Sequence, residues 1–319
     1  MCYSALVRHD LQWLAKRYGA AIAWEMFEAL FRKRLDDDGI QFSRALDVHI
    51  LRMQDEQARP SHALIEQYRA SQARGWEQEL FKQRKRLVDA QRKLQVRETK
   101  AARNDERIAT EKIATLSSKL TSLRSDHIDS DDMRIFPRKY APVITEEGGR
   151  LLIRPMRYLC RLPGKPSNFD QRFDGTYNAR RDNLNGFWSG IYGKNHGILV
   201  IDSFFENVPR HLYEKRALAP GERASNVVLH FNPSPGEPMT IACLWSHWTG
   251  EGEPELDSFA AITDEPPPEV LATGHTRCVI SLKDENVREW LSPAAVSKGR
   301  LEEILSDRAP RYYEHRIAA

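Results

Sequence analysis

The chain has 319 residues, 41% hydrophobic and 29% charged, enough to bury the core of one large domain or two ordinary ones. No apolar run approaches the ~18–20 residues that span a bilayer, and the start shows no charged-then-apolar leader. The expectation is therefore a cytoplasmic protein, nucleoid-associated in a bacterium, with no membrane partner. A net charge of +3 is too small for the whole-protein field to choose a partner.

The chain opens Met1-Cys2. An initiator Met before a small residue is normally removed, which would leave Cys2 with a free amine and a free thiol. Ordinary values of about 8.5 for the thiol and about 7.7–8.0 for the amine leave both partly deprotonated near neutrality. The amine can attack an aldehyde to give a Schiff base, and the thiol can then close a five-membered thiazolidine. The other cysteines, Cys160, Cys243 and Cys278, are far apart and make no C-x-x-C pair. That pattern argues against a metal site or a disulfide framework, and these three read as small buried hydrophobes. No cofactor is expected.

Residues 3–35 have apolar positions near helical spacing, with Gly19 as a break. Residues 40–55 fit a short strand or another helix. Residues 60–125 are rich in Glu, Gln, Lys, Arg, Ala and Leu and hold no Pro or Gly after Gly75, which predicts one long helix. Leu80, Leu87, Leu94, Ala101 and Ile108 recur every seven residues, and Phe81, Val88, Ala102 and Ala109 form a row one position on. The stripe is narrow and suits a helix packed on one side, a helical hairpin with residues 3–55, or a weak coiled coil. Over residues 80–124 Lys and Arg outnumber Asp and Glu by 13 to 5. Two readings stand: a solvated face, or a basic arm against nucleic acid phosphates. Residues 125–135 read as a linker.

From residue 135 the pattern changes to strands and turns. Val143-Ile144-Thr145 and Leu151-Leu152-Ile153 flank Glu147-Gly148-Gly149 as a hairpin. Further strands are expected at 157–162, 197–202, 225–231, 239–245, 258–263 and 277–282. Short helices are expected at 183–188, 267–272 and 284–291. The fold class is α+β: an antiparallel β-rich domain with short helices, carrying an N-terminal helical insertion.

Three more segments join Met1-Cys2 as candidates for chemistry: Tyr177-Asn178-Ala179-Arg180-Arg181, Asp202-Ser203-Phe204-Phe205-Glu206, and Gly274-His275-Thr276-Arg277-Cys278. Singly, each has a plain reading as a turn, a strand end or an exposed loop. In order, they resemble the SRAP (SOS response-associated peptidase) family, which senses abasic sites in single-stranded DNA. Members begin Met-Cys-Gly-Arg, against Met1-Cys2-Tyr3-Ser4 here. Their Pro-Arg-Tyr-Asn-x-Ala-Pro is similar to Pro137-Arg138-Lys139-Tyr140-Ala141-Pro142, and their Arg-Trp-Gly-Leu-x-Pro to Arg157-Tyr158-Leu159-Cys160-Arg161-Leu162-Pro163. Asn-Ala-Arg-x-Glu matches Asn178-Ala179-Arg180-Arg181-Asp182, with Asp for Glu. Asp-Gly-Phe-Tyr-Glu-Trp matches Asp202 to Asn207, and His-x-Arg-Met-Pro-Val matches His275-Thr276-Arg277-Cys278-Val279, one residue short.

The resemblance implies a β-barrel-like catalytic domain from residues 1–2 and 134–319, interrupted by an insertion over 3–133 that a repair or replication protein could bind. It implies an abasic-site sensor that forms a covalent thiazolidine crosslink to DNA, with peptidase character confined to residues ahead of Cys2. Cys2 would be the nucleophile, Glu206 the proton shuttle and His275 the group that opens the sugar ring. Asn178 would hold the N-terminus or the sugar. Arg180 and Arg277 would clamp phosphates, with Arg181 and Arg157 as further DNA-binding candidates. Tyr158, Trp188 and Phe204 could stack bases, and core packing is at least as good a reading for each. Two other readings stay open: an N-terminal nucleophile amidohydrolase, and a non-catalytic DNA- or protein-binding relative.

Overall fold

The computed structural model describes residues 3–318. The chain enters through strand β1 (Ser4–Val7), where helix was expected, and then turns helical. In α1 (Leu11–Tyr18) the Asp10 side chain accepts from the Trp13 amide, and Gly19 closes the helix at φ 64°. A two-residue strand β2 (Ala21–Ile22) precedes α2 (Trp24–Lys33). The ambiguous stretch at 40–55 holds both options: β3 (Gln41–Phe42), then α3 (Arg44–Arg52), whose Ser43 cap accepts from the Leu46 amide.

The segment expected as one long helix is two. Helix α4 (Arg59–Val96) has 38 residues, about 57 Å at 1.5 Å per residue. Arg97 is extended, and Thr99 caps α5 (Lys100–Arg124) by accepting from the Ala102 amide. The two helices fold back on each other, with Arg86 paired to Asp105 at 2.5 Å and Arg124 to Glu77. Leu80, Gln83 and Ala90 are buried on α4, and Ala102, Ala109 and Leu120 on α5. The companion row is not buried on α4: Phe81 and Val88 face solvent. At its base the hairpin is locked to the short helices by Arg34. Its guanidinium is buried against Asp47 at 3.0 Å and lies 4.0 Å from the centroid of the Tyr68 ring.

The linker is also anchored. A capping box opens α6 (Ser130–Met133), and Arg44 bonds both Asp132 and the Ser125 carbonyl. Strand β4 (Arg134–Ile135) then pairs antiparallel with β1, Ala5 opposite Ile135.

Strands β5 (Lys139–Glu147) and β6 (Arg150–Tyr158) form the expected hairpin; of the strand expected at 157–162 only the first two residues are extended in β6, and 159–162 leave the sheet. After α7 (Phe169–Arg172) and β7 (Asn178–Arg180) comes the 14-residue β8 (His196–Pro209). A short α8 (Arg210–Tyr213) leads to β9 (Asn226–Ser234), β10 (Met239–Gly250) and β11 (Glu253–Asp264). The chain finishes with α9 (Pro268–Leu271), β12 (Cys278–Val279), α10 (Asp284–Leu291), α11 (Lys298–Ser306) and β13 (Tyr312–Ile317).

The sheet runs β13-β9-β8-β10-β11-β6-β5-β3, and β5 also pairs with β8. That extra pairing closes β5, β6, β11, β10 and β8 into a barrel. Closure occurs at Gly197, where a Cβ would sit 3.0 Å from Val143 Cγ1 and 3.2 Å from the Ile144 carbonyl oxygen. The strands alternate between two cores: Ile241 and Cys243 join Phe204, Phe231 and Phe259, whereas Ala242 and Leu244 join Trp248, Trp290 and the helix residues Leu11, Phe27 and Ile65. Both faces are covered, so the strands read as nearly continuous apolar runs. The helical part thus shares one core with the barrel. The protein is α+β, with a β-barrel-like sheet and a long helix ahead of it.

Candidate active site

The site forms where β8 runs out of the barrel between β1 and β9. Ser4 lies opposite Phe205, and Glu206 lies opposite Leu229. This register turns the Glu206 side chain inward, with none of it exposed. Burial in apolar surroundings disfavours the carboxylate and pushes Glu206 up to about 8, so it is mostly a neutral acid near pH 7. Glu206 Oε2 accepts from the Tyr3 amide at 3.3 Å, and the same amide reaches the Phe205 carbonyl at 3.2 Å.

His275 approaches from the loop between α9 and β12. The residue before it, Gly274, has φ 90°, and a Cβ there would lie 2.8 Å from Leu212 Cβ. Only glycine gives the chain this turn without a clash. His275 Nδ1 lies 2.8 Å from the Arg277 carbonyl, which can only accept, so Nδ1 carries the hydrogen. Nε2, 3.5 Å from Glu206 Oε2, is then the basic nitrogen. Burial, with Arg277 nearby, lowers His275 to about 4, so the imidazole is neutral near pH 7. The pair is a neutral acid facing a neutral base, an arrangement suited to moving a proton rather than storing charge.

Asn178 stands on β7, parallel to β11, with its side chain buried. Its Oδ1 accepts from the Thr263 hydroxyl, and no hydrogen bond to a described residue engages its Nδ2. Thr263 in turn pairs with Val279, so β7 lies across β11 from the strand that follows His275. Cys2 lies outside the described residues.

The four arginines divide. Arg180 is half exposed and bonds Asp182, and Arg277 lies 3.8 Å from the same carboxylate. These two therefore flank one anion position. Arg157 bonds Asp170 and the Leu159 carbonyl, and Arg161 reaches the same Asp170 at 2.9 Å. Arg181 joins β11 to α11 through Asp264 at 3.0 Å and Ser306 at 2.5 Å. Arg157 and Arg181 are thus both occupied by the protein's own carboxylates.

Of the two readings for the aromatics, core packing holds for all three: Tyr158, Trp188 and Phe204 are buried. Cys160, Cys243 and Cys278 are buried as read, and burial pushes Cys160 and Cys278 up to about 12, which keeps them as unreactive thiols. No group of three or more His, Cys, Asp or Glu could hold a metal among the described residues. No helix among them is long and apolar enough to cross a membrane. Sequence reasoning missed Arg134, whose Nε donates to Ser4 Oγ at 2.9 Å beside the site.

The fold and site define an α+β barrel protein with a buried acid–imidazole pair beneath its first strand. The family profile for SOS response associated peptidase (SRAP) matches residues 98–317, and the chain belongs to that family. The match begins at the foot of α5 and covers the barrel. Among solved structures, the chain is similar to a protein from Bordetella bronchiseptica at 19% identity, covering 61% of this chain and 90% of that one with a TM-score of 0.46. It is similar to a phage-related protein from the same organism at 17% identity, covering 61% and 85% with a TM-score of 0.44. A protein from Bacteroides thetaiotaomicron matches at 16% identity, covering 56% and 74% with a TM-score of 0.43. No curated protein matches the chain.

Proposed function

We propose that this SRAP protein captures abasic sites in single-stranded DNA through the mature N-terminal Cys2, forming a covalent crosslink in the DNA damage response. One observation carries the reading: the Glu206 acid and the His275 base meet at 3.5 Å, and the peptide amide of Tyr3, the residue that follows Cys2, rests on that acid. Met1 must leave before the amine exists, whether by the general methionine aminopeptidase or by this site.

The ring-opened abasic sugar presents an aldehyde. The Cys2 amine adds to its carbon, and a proton from the amine ends on the new oxygen, giving a carbinolamine. Glu206, held neutral by burial, protonates that hydroxyl as it leaves as water, and the C=N bond forms. The C=N nitrogen keeps its hydrogen as an iminium; His275 Nε2 takes the thiol proton as sulfur adds to the C=N carbon and passes it to the Glu206 carboxylate 3.5 Å away, restoring both groups. The balance is one aldehyde, one amine and one thiol converted to a thiazolidine with loss of one water. Asn178 would hold the sugar or the N-terminus with its buried amide. Arg180 and Arg277 would clamp a flanking phosphate in place of Asp182.

The test is incubation of the Met1-free protein with single-stranded DNA carrying one abasic site, followed by denaturing electrophoresis. A heat-stable shifted band that disappears in Cys2→Ala is expected. A band that persists in Cys2→Ala, or no band at all, overturns the proposal.

A further inference from the structure

Outside the acid–imidazole pair, the strongest unassigned cluster stands at the start of β4. The Arg134 guanidinium lies 3.6 Å from the centroid of the Phe205 ring and 4.9 Å from that of Phe136. Its Nε is spent on Ser4 Oγ. No hydrogen bond or ion pair to a described residue engages Nη1 or Nη2, whereas Arg157 is paired with Asp170 and Arg181 with Asp264. Tyr3, exposed on one side, meets Phe136 edge-on at 5.5 Å, and the Lys139 ammonium lies 5.6 Å from the Phe136 ring. Phe205 precedes Glu206 on β8, so its ring and the Arg134 stack lie on the opposite face of that strand from the acid; the link between them is Tyr3, whose amide reaches both the Phe205 carbonyl and Glu206 Oε2.

We propose that Arg134, Tyr3 and Phe136 form a nucleotide subsite for the residue next to the reactive sugar, with Arg134 taking its phosphate and Tyr3 stacking on its base. This rests on the single-stranded DNA reading above. The physical case is direct. Two parallel N–H groups of one guanidinium match two phosphate oxygens. Stacking over Phe205 holds the fork flat without neutralising it. A half-exposed phenol ring accepts any base, because every base offers a π-face. The cation enters from the end of the helical part, since β4 pairs with β1, and so it stands beside Ser4 without belonging to the N-terminal segment.

The experiment measures binding of a fluorescent single-stranded oligonucleotide without an abasic site, across a salt series, alongside the crosslink assay. Arg134→Gln should weaken binding roughly 3-fold or more and lower the slope of log K against log salt by about 0.7, one phosphate's share on a single strand. It should raise the half-saturating DNA concentration for crosslinking by the same factor. Arg134→Lys should weaken binding while keeping the slope, because charge remains and the fork is lost. Tyr3→Ala should weaken binding roughly 5-fold or more with the slope unchanged.

Arg134→Gln with wild-type affinity and slope overturns the subsite; should that variant not fold, Arg134→Lys with wild-type affinity does so. If the wild type binds the intact strand but gives no crosslink on an abasic one, the chemistry fails and the subsite stands. If the wild type crosslinks and Arg134→Gln is indistinguishable from it, the subsite alone fails. A wild type that does not bind the strand at all removes both.

Discussion

Glu206 is the residue whose replacement separates the cost of its burial from its use. Its carboxyl moves from an ordinary 4.5 to about 8 on burial. Between those values the folded chain holds a proton that the unfolded chain has released. Stability therefore falls as pH rises through the window, and the penalty is complete above about pH 8. A displacement of about 3.5 units corresponds to at most about 5 kcal/mol at 1.36 kcal/mol per unit. Glu206→Gln keeps the shape and the neutral charge and cannot ionise. Urea unfolding at pH 5, 7 and 9 should show wild-type stability declining with pH relative to the variant, which becomes the more stable protein at pH 9. The same variant should crosslink abasic DNA roughly 10²–10⁴ times more slowly, having lost the proton donor. Equal pH slopes for the two proteins would refute a buried neutral acid, and equal crosslinking would refute its role.

His275→Gln removes the basic nitrogen and should slow thiazolidine closure by a similar order, read as a slower appearance of the heat-stable band. Wild-type crosslinking should fall above about pH 8 as Glu206 gives up its proton, and below about pH 4 as His275 gains one. Asp182→Ala frees Arg180 and Arg277 from their shared carboxylate. It should tighten single-stranded DNA binding a few-fold, roughly, at low salt, with a steeper salt slope in anisotropy titrations. Arg34→Met leaves the buried Asp47 carboxylate unpaired and should cost roughly 3–5 kcal/mol in denaturant unfolding. Gly274→Ala imposes a Cβ at φ 90° against Leu212, and should cost about 1–3 kcal/mol of stability and slow crosslinking by displacing His275.

Much of the barrel was legible because strand residues declare themselves locally. The runs at 197–202 and 239–245 fall within β8 and β10, and turn residues mark their ends. Glu206 and His275 could be singled out from short motifs in a fixed order, although nothing in either motif states that one side chain faces the other. Ser4–Val7 was read into the helix because four residues are too few to show a strand alternation, and only Asp10, the cap of α1, marks the boundary between them. The break at Arg97 was hidden for a related reason: it carries neither Gly nor Pro, only Thr99 as a cap. Arginines defeat local reading most completely. Arg157 and Arg181 differ from Arg134 only in having Asp170 and Asp264 delivered by distant chain. The aromatics at 158, 188 and 204 stayed between two readings because a large ring suits a core and a base equally well until its exposure is known.

The pairing of β1 with β4 has a thermodynamic consequence. Strand β1 is tied to the rest of the barrel across residues 8–133, a loop of about 126 residues. Were that loop a flexible chain, closing it would cost roughly 2 kcal/mol more than closing a ten-residue turn, from the (3/2)RT ln n dependence. A folded excursion bridges the gap with rigid helices and withholds that entropy. Weakening the excursion returns it: a substitution at Arg34, remote in sequence from Glu206, should loosen β1 and with it the Tyr3 amide on the acid. The helices ahead of the barrel therefore set the effective concentration at which β1 meets the strand that carries Glu206.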